Sequence, residues 1–223
     1  MHDVAFDRAV VLAASRYAGA GRLACGMVRG KLRIDPVYRE LLDRGIAEAS
    51  RIVDLGCGRG LLFSLILAAR GDAGHPELLG VELTASAAGA ARAALHGAAT
   101  IVQADLASAN VPSCDVVTLL DVAHYLPAAV QDDLWTRVRR ALPVGGRLFV
   151  READASGGAG FLAVRAAERI GAILSGDGWR RFAYRAASEL VRRLESAGFA
   201  VSASPMSRGT PFSNVLLEAR ARA

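Results

Sequence analysis

Short apolar runs alternate along the chain with longer stretches in which apolar residues recur at helical spacing. Five runs are predicted strands: Arg51–Leu55, Glu77–Leu83, Thr100–Ala104, Asp115–Leu120 and Arg147–Arg151. Three helical patterns lie between them: Gly60–Arg70, an alanine-rich stretch capped by Thr84 and running to about His96, and Ala128–Leu142. Strands that alternate with helices predict an α/β fold with a mostly parallel sheet and helices on both faces.

The regular alternation of short strands and helices ends after residue 154. A long helical stretch runs from Gly157–Gly160 to about Leu174, and a turn follows at the sequence SGDGW. A helix over Ser188–Ala197 precedes two strands, Phe199–Ser204 and Phe212–Glu218, that are separated by a turn around residues 209–211. Two strands joined by a turn predict an antiparallel hairpin, which brings the expected sheet to seven strands.

Residues 1–48 have a helical pattern and are predicted to form an N-terminal helical cap. Breaks are expected near Gly19–Gly21 and near Gly26–Gly30, and Asp35 followed by Pro36 predicts a helix start. Two interpretations of this segment stand. The favoured one is a cap over a cofactor site; the other is a basic amphipathic segment that rests on a membrane or an anionic partner.

Composition narrows the class of protein. Hydrophobic residues make up 52% of the 223 residues and charged residues 22%, as in soluble globular domains. No run reaches the ~18 apolar residues of a membrane span, and no secretory signal pattern opens the sequence. Cys25, Cys57 and Cys114 lack the spacing of a disulfide framework or a metal site, so we expect a cytoplasmic protein without a bound metal.

The net charge of +5 is compatible with a protein that binds nucleic acid, but the composition argues against that function. Lys31 is the only lysine, so nearly all the positive charge comes from arginine. An arginine-rich, alanine-rich composition indicates coding bias, whereas a nucleic-acid surface requires basic residues clustered on one face.

The most informative segment is Arg51–Leu62, where a predicted buried strand runs through three glycines directly into a helix. Gly56, Gly58 and Gly60 allow a tight turn and a close approach of the backbone to a ligand. Asp54, just before the first glycine, suits a ligand with a cationic group and would repel a pyrophosphate. The spacing matches neither the dinucleotide motif nor the Walker A loop.

The sequence DLGCGRG resembles the first motif of class I S-adenosylmethionine-dependent methyltransferases. Further segments resemble later motifs of that family, in the family's order, and the resemblance covers roughly residues 48–220. They are Gly80–Glu82, Gln103–Leu106, Asp115–Leu126, Leu142–Phe149 and Glu189–Phe199. The resemblance implies a Rossmann-like fold, with residues 49–223 as the methyltransferase domain and residues 155–185 as a helical substrate lid.

The resemblance also implies a cofactor, S-adenosyl-L-methionine, and the residues that bind it. In the family, the acid after the second strand binds both ribose hydroxyls, and the acid after the third accepts a hydrogen bond from the adenine amino group. The residues implied for cofactor binding are Asp54, Gly56, Cys57, Gly58, Gly60, Glu82, Leu83, Asp105, Leu106 and Asp121.

Candidates for the acceptor side lie beyond the fourth and fifth strands and in the segment that resembles the lid. His124 and Glu152 are candidate general bases, although packing or hydrogen bonding is the more common role for such residues. Tyr125, Trp179 and Tyr184 are candidates for binding the acceptor, although a lone tryptophan such as Trp179 is more often a core residue.

The expected function is methyl transfer to a small organic acceptor by in-line displacement. The oxygen of a natural product, a lipid or a polyketide-like intermediate is the candidate acceptor atom. Two alternatives stay open: an RNA methyltransferase and a non-catalytic protein that binds S-adenosylmethionine. The sequence leaves the oligomeric state undetermined, and it permits peripheral membrane contact through the N-terminal helices.

Overall fold

Seven strands form one mixed sheet. The computed structural model describes residues 3–71, 73–174, 182–207, 209 and 211–223, with the backbone alone for residues 167–174. The strands are β1 (Arg51–Leu55), β2 (Glu77–Glu82), β3 (Thr100–Gln103), β4 (Val116–Leu120), β5 (Arg147–Ala153), β6 (Phe199–Pro205) and β7 (Asn214–Ala221). Their order is β3-β2-β1-β4-β5-β7-β6. The predicted Rossmann-like α/β fold is therefore confirmed.

Eight α-helices accompany these strands in the part of the chain that the structure describes. They are α1 (Asp3–Ser15), α2 (Arg22–Ile34), α3 (Pro36–Asp43), α4 (Leu61–Arg70), α5 (Ala85–Leu95), α6 (Ala128–Ala141), α7 (Gly158–Leu174) and α8 (Ala187–Ser196). None of the described helices is both long enough and apolar enough to cross a membrane. The predicted SGDGW turn lies outside the described residues.

The chain divides into two compact units, Met1–Thr118 and Leu119–Ala223. In the first unit, β1 pairs in parallel with β2 and with β4, and β2 pairs in parallel with β3. Ile52, Val53 and Leu55 are buried on β1, because a parallel strand is covered on both faces. The proposed boundary between a cap over residues 1–48 and the remaining domain stays a prediction.

The predicted helix break near Gly26–Gly30 is wrong. Helix α2 runs through both glycines without interruption, and the chain breaks only before it, around a short 3-10 helix at Ala18–Ala20. A glycine inside a helix costs roughly 1 kcal/mol relative to alanine. Burial of Val28 and Leu32 on the inner face of α2 offsets this cost.

The two predicted helix caps have different outcomes. Asp35 caps α3 as predicted, because its carboxylate accepts a 3.2 Å hydrogen bond from the Val37 N–H. Thr84 occupies the residue before α5, but its side chain does not cap the helix. Its hydroxyl donates instead to Glu82, at 2.9 Å.

The second unit contains the predicted C-terminal hairpin. β7 pairs antiparallel with β5 on one side and with β6 on the other. The inner faces of its elements carry buried side chains, among them Trp135 on α6, Leu194 on α8 and Phe199 at the start of β6. These side chains follow the amphipathic spacing of α6 and α8.

Candidate functional site

The first unit places three carboxylates at the same ends of three neighbouring strands. Asp54 is on β1, Glu82 ends β2, and Asp105 follows β3. Strand register aligns Asp54 with Gly80 and Glu82 with Gln103. Because carboxyl ends of parallel strands meet at one edge of a sheet, the three predicted acids lie along the edge at which such folds bind ligands.

Asp54 is a buried carboxylate with one oxygen unoccupied. Its side chain is 4% exposed, and Oδ1 accepts a 2.6 Å hydrogen bond from the Thr118 hydroxyl. Among the described residues, none donates to Oδ2 and no lysine or arginine pairs with the carboxylate. Burial raises the pKa of Asp54 to about 7; the Thr118 hydrogen bond opposes this shift and the nearby charge of Glu82 adds to it.

The glycine loop follows directly. Gly56, Gly58 and Gly60 all have positive φ values, of 78°, 55° and 79°. A Cβ on Gly60 would lie 3.0 Å from Leu95 Cδ1, so this glycine permits close packing of the loop on α5. A Cβ on Gly58 would meet nothing within 4 Å, so the backbone there faces open space, as the approach of a ligand to the loop requires.

Glu82 joins the glycine loop to the start of α5. Its Oε2 accepts a 3.0 Å hydrogen bond from the Gly58 N–H, and its Oε1 accepts from the Thr84 N–H and hydroxyl at 2.8 and 2.9 Å. An ionised carboxylate has about four acceptor positions, and three of them are used here, so Glu82 can still accept from a hydroxyl of a ligand at Oε2. The side chain is half-buried.

Cys57 contributes its backbone to the loop and its thiol to packing. The Gly56 and Cys57 N–H groups both donate to the Val81 carbonyl, at 2.8 and 3.0 Å. The thiol lies against Gly80, where an added Cβ would come within 2.6 Å of Sγ. Burial, followed by the charges of Asp54 and Glu82, raises the pKa of the thiol, so Cys57 stays protonated and unreactive.

Asp105 and Leu106 open a turn after β3. The Asp105 carboxylate accepts a 2.8 Å hydrogen bond from the Ala107 N–H, and the side chain is otherwise exposed. Leu106 is buried, whereas Leu83, after β2, is 49% exposed and offers an apolar surface.

These features fit the three parts of S-adenosylmethionine. A buried carboxylate without a cationic partner suits the ammonium of the amino acid part. The remaining acceptor position of Glu82 suits a ribose hydroxyl, and exposed Asp105 with apolar Leu83 suits the adenine ring and its amino group. The assignment of these residues to the cofactor stays a prediction that their geometry permits.

Tyr17 is a contact of the glycine loop that the sequence pattern did not predict. The residue is buried, and its hydroxyl donates to the Arg59 carbonyl at 2.8 Å and lies 3.2 Å from Ser64 Oγ. The N-terminal segment thus holds the loop from outside. The only signal in the sequence is a lone tyrosine between two helical patterns.

The second unit contains a buried pair, His124 and Glu152. His124 Nδ1 lies 2.7 Å from Glu152 Oε2, and Glu152 Oε1 accepts a 2.6 Å hydrogen bond from the Ala123 N–H. His124 is 4% exposed and Glu152 3%. His124 Nε2 is buried and has no hydrogen-bond partner among the described residues.

Aromatic rings surround His124. Tyr184 stacks on the imidazole, with ring centroids 4.7 Å apart and planes 14° apart. Tyr125 and Phe182 lie at 4.2 and 5.9 Å, and the Phe161 ring meets Tyr184 edge-on at 5.1 Å. Of the predicted acceptor-binding residues, Tyr125 and Tyr184 therefore lie beside His124, whereas Trp179 lies outside the described residues.

Gln131 on α6 holds the backbone of this cluster together. Its side-chain amide lies 3.0 Å from each of three carbonyl oxygens, those of Ala123, Leu126 and Ala183. The Ala183 N–H in turn donates to the His124 carbonyl at 2.7 Å. A buried glutamine inside an amphipathic helix pattern was the only sign of this role in the sequence.

Asp121 is engaged by Arg151. The residue has a φ of 57°, its N–H donates to the Arg151 carbonyl at 2.8 Å, and its carboxylate forms a two-pronged ion pair with the Arg151 guanidinium. Aspartate tolerates this left-handed backbone better than most residues. Its predicted contact with the cofactor stays a prediction.

Comparison with known proteins agrees with this geometry. A family model described as a methyltransferase domain matches residues 53–148. No protein of curated function matches the sequence significantly.

Solved structures share the fold at low sequence identity. An O-methyltransferase family protein from Burkholderia thailandensis is 19% identical with a TM-score of 0.68, covering 94% of this chain and 62% of its own. A magnesium protoporphyrin IX methyltransferase from Synechocystis PCC 6803, solved with bound SAH, is 21% identical with a TM-score of 0.61, covering 93% and 92%. An S-adenosylmethionine-dependent methyltransferase from Mesorhizobium loti is 22% identical with a TM-score of 0.62, covering 76% and 90%.

The chain thus spans less than two thirds of the length of the Burkholderia protein. Residues 53–148 thus match a methyltransferase domain, and the seven-stranded sheet with its C-terminal hairpin is the fold of S-adenosylmethionine-dependent methyltransferases.

Proposed function

We propose that this chain transfers a methyl group from S-adenosylmethionine to a hydroxyl oxygen of a small, ring-bearing organic acceptor. The observation that carries the proposal is the buried pair of His124 and Glu152, whose second imidazole nitrogen has no hydrogen-bond partner among the described residues. Buried polar atoms are usually hydrogen-bonded, so an orphaned imidazole nitrogen beside a fixed carboxylate indicates a functional role.

The cofactor would be held by the first unit. Asp54 binds the ammonium, Glu82 a ribose hydroxyl and Asp105 the adenine amino group, while the backbone of the glycine loop lies along the amino acid part. Bound S-adenosylmethionine supplies a methyl group already activated by its sulfonium. The protein therefore needs only to orient the acceptor, to exclude water and to take up a proton.

Glu152 determines which imidazole nitrogen can take that proton. An ionised carboxylate only accepts hydrogen bonds, and Glu152 already accepts one from the Ala123 N–H. His124 Nδ1 must then carry the proton that faces Glu152, which leaves a lone pair on Nε2. The acceptor hydroxyl would pass its proton to Nε2 as its oxygen takes the methyl group; the methyl–sulfur bond would break and the donor would leave as a neutral thioether. Glu152 would stabilise the resulting imidazolium.

The surroundings of Nε2 favour a flat, apolar acceptor. Tyr125, Phe161, Phe182 and Tyr184 form an aromatic cluster around the imidazole. Aromatic rings pack favourably on one another at these distances, so a ring-bearing acceptor can take the place of one of them. Because Nε2 is buried beneath this cluster, a ring such as that of Tyr184 must move aside to admit the acceptor hydroxyl.

The test is an assay with a labelled methyl donor and three sets of ring-bearing acceptors that differ in the reacting group: a phenol, a carboxylic acid and an amine. Cell extract is a fourth source of acceptors. The proposal expects label on the phenol and a large loss of label for His124→Gln. Label confined to the carboxylic acid or the amine would contradict the assignment of the acceptor atom. Tight cofactor binding without transfer from any source would favour the non-catalytic alternative.

A further inference from the structure

Helices α1 and α2 expose apolar side chains on the face opposite their buried one. On α2, Leu23, Met27 and Ile34 are 79%, 66% and 74% exposed. Their spacing of four and seven residues, with Gly30 between the last two, puts them in one row along the helix. Three side chains of α1 are exposed in a similar row: Val4 (82%), Val11 (45%) and Leu12 (46%).

We call these six side chains the outer face. They are six of the ten large hydrophobic side chains that are exposed among the described residues. The buried rows of the two helices, such as Val10 and Ala13 on α1 and Val28 and Leu32 on α2, already supply their packing against the first unit. Core packing therefore does not account for the outer face.

The two rows lie on the same side of the helix pair. Arg33 near the end of α2 forms an ion pair with Asp7 near the start of α1, with a nitrogen–oxygen distance of 3.0 Å. Because only six residues join the end of α1 to the start of α2, this contact requires the two helices to lie side by side and antiparallel. An α-helix turns by ~100° per residue. Measured around the helix axis, the outer row of each helix therefore lies roughly 80° from the ion-paired residue, on the side away from the core. The rows therefore form one continuous surface.

Two exposed arginines without partners lie at this surface. Arg8 lies among the exposed residues of α1 and Arg22 is next to Leu23, and no described residue forms an ion pair with either, whereas Lys31 and Arg33 pair with Asp35 and Asp7. No acidic side chain lies within either apolar row. Exposed aliphatic side chains bordered by unpaired arginines are the pattern of helices that lie in the interface of a membrane with anionic lipids.

We propose that the outer face of α1 and α2 binds the surface of an anionic lipid bilayer, with the two helices lying in the plane of the interface. The apolar rows enter the headgroup region, and Arg8 and Arg22 contact lipid phosphates. This binding surface goes beyond the proposed function and does not rest on the identity of the acceptor.

Two other binding partners would fit the outer face less well than a lipid bilayer. A second copy of the chain, docked about a two-fold axis, would bring like arginines towards each other and oppose association. A protein partner would be expected to use aromatic anchors on this chain, since Trp and Tyr dominate such interfaces, and the outer face has none.

The test is sedimentation of the full chain with vesicles of phosphatidylcholine alone and of phosphatidylcholine mixed with phosphatidylglycerol. The wild type is expected to bind the anionic vesicles, less so at high salt, and to leave the neutral ones largely unbound. The combined variant Leu23→Ser, Met27→Ser, Ile34→Ser should lower the partition coefficient about tenfold or more. Arg8→Gln with Arg22→Gln should lower it roughly tenfold on anionic vesicles only.

The control is Val144→Ser, which removes a side chain that is 68% exposed in the second unit and should leave binding unchanged. Thermal unfolding checks that each variant is folded; if the triple variant is not, Leu23→Ser alone replaces it. Failure of the wild-type protein to sediment with anionic vesicles at low salt would overturn the proposal. So would a wild-type dimer that becomes monomeric in the triple variant, since the outer face would then be covered by a second copy.

Discussion

The Thr118 hydroxyl donates a 2.6 Å hydrogen bond to Asp54 Oδ1, although the two residues are 64 positions apart in the chain. They lie opposite each other on paired strands β4 and β1. The bond holds one carboxylate oxygen in place and leaves the other for a ligand. Burial of the Asp54 carboxylate is energetically unfavourable, and its orientation is fixed. Both properties are expected of a group that binds a ligand rather than one that stabilises the fold.

Replacing Asp54 by Asn should remove the partner of the cofactor ammonium without changing side-chain shape. We expect the dissociation constant for S-adenosylmethionine, measured by calorimetry, to rise roughly a hundredfold, because loss of one partner of a buried charge pair typically costs 2–5 kcal/mol. Asp133→Asn on the exposed surface of α6 is the matched control and should bind normally. An unchanged dissociation constant in Asp54→Asn would show that the ammonium binds elsewhere.

The same residue should make stability depend on pH. Burial raises the pKa of Asp54 from 3.8 to about 7, so the folded state holds its proton more tightly than the unfolded state between these values. The associated stability is present at low pH and is lost as the pH rises through about 7. Relative to Asp54→Asn, the free energy of unfolding of the wild type should fall by about 2–3 kcal/mol between about pH 5 and about pH 8.

Denaturant unfolding of both proteins at these pH values, without cofactor, measures the difference. Other titrating groups are common to the two proteins and cancel in the comparison. Parallel pH curves would show that the carboxyl of Asp54 is not perturbed in the folded protein.

Two glycines of the loop should respond differently to alanine. Gly60→Ala should destabilise the fold by more than about 1 kcal/mol, because it adds a left-handed strain and a Cβ 3.0 Å from Leu95 Cδ1. Gly58→Ala should cost only about 1 kcal/mol, because its Cβ meets nothing, yet it should weaken cofactor binding at least tenfold by occupying the space above the loop. Thermal unfolding and calorimetry together distinguish the two; equal cofactor affinity in Gly58→Ala and wild type would place the ligand away from this residue.

The His124–Glu152 pair should affect turnover and not cofactor binding. His124→Gln should lower kcat by about 10²–10⁴-fold, and Glu152→Gln, which still accepts from the Ala123 N–H, should lower it at least tenfold. Both should retain wild-type affinity for S-adenosylmethionine. His75→Gln, in an exposed loop before β2, is the control. If both variants instead lose stability and keep kcat, the pair serves to hold the loop after β4.

Tyr17→Phe should loosen the glycine loop from outside. The change removes the 2.8 Å hydrogen bond to the Arg59 carbonyl and the contact with Ser64, so we expect a loss of roughly 1–2 kcal/mol in the free energy of unfolding. Affinity for the cofactor should fall several-fold as the loop becomes less ordered. Ser15→Ala, which removes an exposed hydroxyl nearby, should change neither quantity; identical affinity in Tyr17→Phe and wild type would limit Tyr17 to a role in stability.

The acids of the cofactor site could be predicted from sequence because each follows a strand that can be recognised from its local pattern. Asp54 sits in a short apolar run before three glycines, and Glu82 and Asp105 end the next two runs. In a parallel sheet, strand ends meet at one edge, so local patterns suffice to bring these residues together. The helix through Gly26 and Gly30 could not be predicted this way, since its stability comes from Val28 and Leu32, which become buried only when the helix packs on other elements.

By itself, the sequence determined the alternation of strands and helices, the glycine loop and the three acids, since all of these depend on residues close together in the chain. The tertiary structure alone decided that Thr118 holds Asp54, that Tyr17 contacts Arg59, and that Glu152 orients His124 among aromatic rings. The partners in each of these contacts are 64, 42 and 28 positions apart. No local pattern encodes such pairs, because only strand pairing and helix packing bring their side chains within hydrogen-bonding distance.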